Sequence, residues 1–398
     1  MEQSLSPVQA WEQYRNQAIA CYGNNQFREY LTLSEQNLEL ARKIGDKAKE
    51  AIALNQVGLA HIRLWQPQQA LQFLQQALVL QRALGAALAK VPAASSKPTV
   101  ASPQFGEATT LNNIGSVYSQ LGEPQKALDF FNQALAIFRE LGDRRIEAVT
   151  LNSIALAYIR LGQPKQALLL CNQILPIRRE LGDRAGEAAT LNNIGLIYSD
   201  LGRPRKALKY FKQALLIQKE LGDRTGEATA LNNIGSVYSD LGEPQRALLI
   251  HNQILLIRRD LGDRFGEATT LNNIGFTYRD AGELHQALEF YHQALWIRET
   301  LGDRPGQATT LNNIGFAYRD LKQSKQALEF YNRALLLYRE LEDRTGEITT
   351  LANIGAVWGE LGQPDWAQDF YQEADALAEN IGNLFLLDWI RVLKEAKS

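Results

Sequence analysis

Side chains able to do chemistry recur in this chain at a fixed interval. A motif reading LNN, or a one-residue variant of it, places Asn112 and Asn113, Asn192 and Asn193, Asn232 and Asn233, Asn272 and Asn273, and Asn312 and Asn313, while Asn152 and Asn353 each keep one of the two. A carboxamide both donates and accepts, so such a row can satisfy the main chain of a bound peptide whatever its side chains. The same row can instead tie each segment to the one before it, and residue types alone leave both readings open. One helical turn on, the residues change along the chain as Ser116, Leu156, Leu196, Ser236, Phe276, Phe316 and Ala356. The next turn gives Ser119, Ile159, Ser199, Ser239, Arg279, Arg319 and Gly359. Phe276, Arg279, Phe316 and Arg319 suit a peptide with an apolar anchor and an acidic or carboxylate group. Asp200, Asp240, Asp280 and Asp320 stand beside this row, and an arginine–aspartate network without a ligand is the alternative.

Catalytic and metal-binding chemistry has no comparable support. His61, His251, His285 and His292 show no metal-ligand spacing, and neither a phosphate-binding glycine loop nor a GxSxG elbow occurs. Cys171 and His251 hold equivalent places two repeats apart, too distant for a nucleophile and its base. The expectation is no enzyme, no cofactor and no metal. A formal net charge of -2 with charges mixed along the chain argues against a nucleic-acid partner. No apolar run approaches the roughly 20 residues that span a bilayer, and the N-terminal residues lack a leader pattern, so a cytoplasmic protein off the membrane is expected. Cys21 and Cys171 lie inside apolar stripes and read as core thiols.

The elements that must position these residues follow from the repeat. The glycine of LNNIG falls at Gly115, Gly195, Gly235, Gly275, Gly315 and Gly355, with Ala155 in the one gap, a period of 40 residues. Within a unit Leu111, Ile114, Tyr118 and Leu121 recur at helical spacing, and after LGEP so do Ala127, Leu128, Phe131, Ala134, Leu135 and Phe138. That is helix A, turn, helix B. Gly122 suits the left-handed residue closing helix A, Pro124 the first turn of helix B, and Asp143 the cap of the next helix A. Gly115 and Ala127 are small where two backbones would approach, and Tyr118, Tyr158, Tyr198, Tyr238, Tyr278, Tyr318 and Trp358 fill space between units. Units that bury apolar faces only against neighbours form a solenoid.

These residues, a glycine, a tyrosine three later, an alanine nine after that, an aromatic near Phe131 and Ala134, resemble the tetratricopeptide repeat over nearly the whole chain. The 40-residue unit and its GD turn are similar to Partner-of-Inscuteable adaptors, the NN pair to kinesin light chains, and the array as a whole to bacterial, especially cyanobacterial, arrays. The resemblance implies an all-α fold, a right-handed superhelix of antiparallel helix pairs with A helices on the concave face. It also implies that the asparagines look into that groove and bind a ligand's main chain.

Residues 1-85 read as two degenerate units, 86-105 as a mobile Ala/Ser/Pro-rich loop, 106-382 as seven regular units, and 383-398 as a capping helix. In the cap, Leu384, Leu387, Ile390 and Leu393 would cover the last unit while Asp388, Arg391 and Lys394 face water. Pro176 should bend its helix, and Lys322 and Glu342, replacing turn glycines, should make the unit from Gly306 turn differently. The functional expectation is a non-enzymatic scaffold that binds a peptide or partner segment in the groove, as monomer or weak homo-oligomer. The alternative is a self-assembling solenoid acting through its ends or convex face.

Overall fold

A computed structural model describes residues 6-88 and 102-395. They form nineteen α-helices in paired repeats, with no strand among the described residues. The helices fall into two compact units, Met1–Arg203 and Pro204–Ser398. In the first, the A helices are α1 (Pro7–Gly23), α3 (Lys47–Arg63), α5 (Pro103–Gln120), α7 (Arg144–Arg160) and α9 (Arg184–Asp200). Its B helices are α2 (Phe27–Ile44), α4 (Pro67–Leu88), α6 (Pro124–Leu141) and α8 (Pro164–Glu180). In the second, α11 (Arg224–Asp240), α13 (Arg264–Asp280), α15 (Arg304–Asp320) and α17 (Arg344–Glu360) are A helices. Its B helices are α10 (Pro204–Leu221), α12 (Pro244–Asp260), α14 (Leu284–Leu301), α16 (Ser324–Glu340) and α18 (Pro364–Asn380), and α19 (Leu384–Glu395) ends the chain. No helix among the described residues is long and apolar enough to cross a membrane. The interior of the 86-105 segment, with its expected loop, lies outside the described residues; its ends belong to α4 and α5.

Local chemistry sets the helix ends. Asp183 and Asp263 accept from the amides of Gly186 and Gly266 at 2.9 and 2.8 Å, satisfying donors that a helix N-terminus leaves open. Helix A closes on a left-handed residue, such as Gly162 at φ 67°. The unit from Gly306 does not turn differently: Lys322 and Glu342 take φ of 61° and 55° and keep the glycine conformation at a steric cost. α8 continues unbroken through Pro176.

Packing explains the glycine of LNNIG. A Cβ at Gly315 would sit 2.7 Å from the ring of Tyr331, and one at Gly275 would sit 2.8 Å from Tyr291 and 3.1 Å from the Ala287 carbonyl oxygen. The nearest neighbour is thus a ring four residues beyond the small alanine. Tyr118 packs into the cores on both sides of it, as do Tyr278 and Tyr318. α19 rests on α17 and α18 through buried Leu386 and Ile390. Leu384, expected in that contact, is 75% exposed, because Asn383 caps the helix and turns its first residues outward. Lys394, expected in water, pairs with Asp375.

Within each unit successive A helices approach one another, α3 to α5 and α5 to α7, α13 to α15 and α15 to α17. No two B helices do so to the same degree. The A helices therefore line the inner face.

Candidate functional site on the inner face

At four places within the two units an A helix is offset from the one before so that the second asparagine of a motif meets the first asparagine, or its equivalent Asn55, of the preceding helix, one repeat plus one residue back. Asn113 Nδ2 donates to Asn55 Oδ1 at 3.0 Å, Asn193 to Asn152 at 2.9 Å, Asn273 to Asn232 at 3.4 Å and Asn313 to Asn272 at 3.1 Å. These amides form rungs between A helices. In the second unit the rung is braced from below: Arg298, 6% exposed, donates to Thr310 Oγ1 at 2.9 Å, and Thr310 donates to Asn272 at 3.4 Å. Asn312 accepts from Thr350 at 3.4 Å. Asn192 and Asn233 are half-buried on α9 and α11, and Asn353 is fully buried with its amide unpartnered.

Two interruptions fall where a rung residue is missing, and another at Asn353, which makes no bond to Asn312 although both asparagines are present. Ser153 holds the place of a second asparagine, and its hydroxyl turns back to the Val149 carbonyl at 3.4 Å. Asn112 Oδ1, its would-be acceptor, is buried without a partner. A cleft of about 520 Å³ opens there between α3, α5 and α7. Its apolar wall includes Val149 and Leu156, each 42% exposed. Arg63 and Arg160 stand at its rim, the first donating to the Tyr22 hydroxyl at 3.0 Å and the second to the Ser119 carbonyl. Neither arginine meets a carboxylate among the described residues. A second interruption lies between α1 and α3, where Arg15 and Gln56 occupy the asparagine places. There a cleft of about 550 Å³ is lined by Trp11, Lys49, Gln56, Gln81 and Phe105, and Trp11 Nε1, Gln56 Oε1 and Gln81 Oε1 are buried without partners. Each of these two clefts lies where a rung residue is missing.

The structure does bring Phe276, Arg279, Phe316 and Arg319 together, but their charges are already met. The Arg279 guanidinium lies 5.2 and 5.1 Å from the Phe276 and Phe316 ring centres, with Nε 3.8 Å from Asp320. Arg319 donates from Nε and Nη2 to Glu360 at 3.0 and 2.8 Å. Burial alone would lower the Arg319 pKa, but Glu360 more than reverses that, leaving it above its ordinary value. Arg63 and Arg160 were not singled out from the sequence, though a signal was there. From α3 on, the residue ending helix A reads Arg63, Gln120, Arg160, Asp200 in the first unit and Asp240, Asp280, Asp320, Glu360 in the second, so its charge reverses along the chain.

Other titratable groups serve the scaffold. Burial raises the Glu187 carboxyl, but hydrogen bonds from Arg179 at 2.7 Å and Arg184 at 2.6 Å more than offset it, holding the pKa below the ordinary value. Glu147 and Glu347 repeat the arrangement. Burial pushes the Cys171 thiol up to about 11, which disfavours a thiolate. Among the described residues no group of His, Cys, Asp and Glu could hold a metal ion.

Two tetratricopeptide repeat models match this sequence, one over residues 106-180, 186-260, 266-340 and 306-380, the other over 51-87. No curated protein matches it. Among solved structures, the apo form of RapI is similar with a TM-score of 0.65 at 15% identity, covering 94% of this chain and 99% of its own. The apo quorum sensor NprR from B. thuringiensis has a TM-score of 0.59 at 16% identity, covering 92% and 97%. A signal-transduction ATPase of Pyrococcus horikoshii with a tetratricopeptide repeat sensor gives 0.65 at 15% identity, and this chain covers 55% of it. At these identities the likeness is one of fold.

Proposed function

Because the chain belongs to the tetratricopeptide repeat family, we propose that it is a non-enzymatic scaffold that holds an extended peptide or partner segment against the A helices of the first unit. The carrying observation is the interrupted ladder at Asn112 and Ser153. Where rungs form, the carboxamides bond one another between helices. Where Ser153 breaks the row, Asn112, whose Oδ1 is buried without a partner, lines a cleft with an apolar wall and two arginines free of carboxylates. A peptide N–H would donate to Asn112 Oδ1 once that side chain turns toward the cleft, an apolar side chain would lie on Val149 and Leu156, and an acidic group would meet Arg63 or Arg160. The section at Phe276, Arg279, Phe316 and Arg319 is a poorer acid receptor, since a ligand there would have to displace Asp320 and Glu360.

A displayed random peptide library selected on the intact chain tests this, with affinities then measured by calorimetry for the wild type and for Leu156→Glu and Asn112→Ala. Selected peptides should share an apolar and an acidic position and lose about tenfold or more in affinity on each variant. Peptides that bind both variants as tightly as the wild type would remove the cleft from the function.

A further inference from the structure

The outer face of the second unit carries an apolar row that its own fold leaves largely exposed. Leu216, Leu256, Trp296 and Leu336 stand at the same place on α10, α12, α14 and α16, and are 60, 62, 61 and 62% exposed; exposed Ala376 continues the row on α18. One large apolar side chain per repeat at a solvent-facing register is the pattern of a docking surface, not of scattered exposure. A cleft of about 430 Å³ beside Trp296, with Leu271 and Ile297 at its floor and Arg259, Arg264, Glu267, His292 and Gln293 around it, has room for a side chain from outside, and the Arg264 guanidinium lies 5.8 Å from the Trp296 ring centre.

The charges around this row say what covers it. α10 is basic, with Arg205, Lys206, Lys209, Lys212 and Lys219 against Glu220. α18 is acidic, with Asp365, Asp369, Glu373, Asp375 and Glu379 and no basic residue. Some of these are engaged: Lys219 lies 3.6 Å from Glu227, Lys212 over the Tyr238 ring, Glu373 against Arg339 and Asp375 against Lys394. Arg205 and Lys209 have no carboxylate partner among the described residues, and Asp365, Asp369 and Glu379 have no basic one. Arg205 and Lys209 occupy the same repeat positions as Asp365 and Asp369, so one register reverses sign from one end of the face to the other.

We infer that this face binds the same face of a second copy of the chain, two-fold and antiparallel, with Trp296 near the axis. A two-fold contact pairs a surface with itself, which suits a row with its bulkiest member in the middle. It sets the basic α10 pole of each copy towards the acidic α18 pole of the other, whereas a parallel arrangement would oppose like charges. The apolar row supplies affinity and the poles supply orientation.

Sedimentation equilibrium of the full chain over a wide concentration range tests the association. The mass should rise from one chain towards two, and a one-chain mass at every concentration would overturn the inference. Trp296→Glu, at an exposed site that leaves the helical circular dichroism unchanged, should weaken the dimer about thirtyfold or more; an undiminished dimer would exclude this face. Arg205→Glu with Lys209→Glu, and separately Asp365→Lys with Asp369→Lys, should each weaken self-association, and mixing the two proteins should restore it as a heterodimer. A mixture no stronger than either protein alone would overturn the antiparallel arrangement.

Discussion

The side-chain amide of Asn313 lies 3.1 Å from the side-chain oxygen of Asn272, joining two A helices through residues forty-one apart. That oxygen also receives the Thr310 hydroxyl, itself held by the buried Arg298. Asn272→Ala removes a shared acceptor and strands donors in a region closed to water. Stability should fall by about 1–3 kcal/mol in urea unfolding.

Ser153→Asn supplies the missing donor opposite Asn112. The variant should gain about 0.5–1.5 kcal/mol of stability from the new rung. It should also lose affinity for peptides selected on the wild type, so calorimetry and urea unfolding are expected to move in opposite directions.

At Gly315 the close approach to Tyr331 leaves no room for a methyl group. Alanine there should destabilise by about 1–3 kcal/mol through overpacking, outweighing its better helix propensity. Thermal unfolding reads the result.

Lys322 holds a left-handed backbone conformation that a side chain makes costly. Lys322→Gly should therefore stabilise the chain by about 1 kcal/mol, against the usual effect of glycine. Thermal unfolding beside the wild type shows the sign.

His251 sits under Gly235, where burial holds its pKa down to about 4. The unfolded chain, with an ordinary histidine near 6.5, binds a proton that the folded chain refuses, so this site costs stability progressively as pH falls from about 6.5 to 4. The loss approaches about 3 kcal/mol at the acid end of that window. His251→Phe, the residue type at Phe131 and Phe211, should remove it and flatten the curve of stability against pH between those values.

The helices, caps and turns were legible because each rests on a local signal repeated many times: a proline after the turn, an aspartate before the next helix, a glycine between them. The role of the asparagines was not, because near-identical copies look alike whether they face a ligand or each other. The bonds between them rest on a one-residue offset between neighbouring A helices, a property of packing and not of periodicity. The aromatic and arginine section stood out by composition, yet its partners, Asp320 and Glu360, belong to the following helix in each case. Arg63 and Arg160 were overlooked for the converse reason, since only their place at the rim of a cleft gives them meaning.

Every rung joins residues one repeat plus one position apart, and so do Arg319 with Glu360 and Arg160 with Ser119. Among the regular repeats, a whole block of forty residues removed or duplicated would therefore set a donor opposite an equivalent acceptor. Point changes within the row, such as the serine at 153, break a bond that recombination would have preserved. A change of repeat number thus leaves the rungs in step, whereas a change of single residues makes or breaks them.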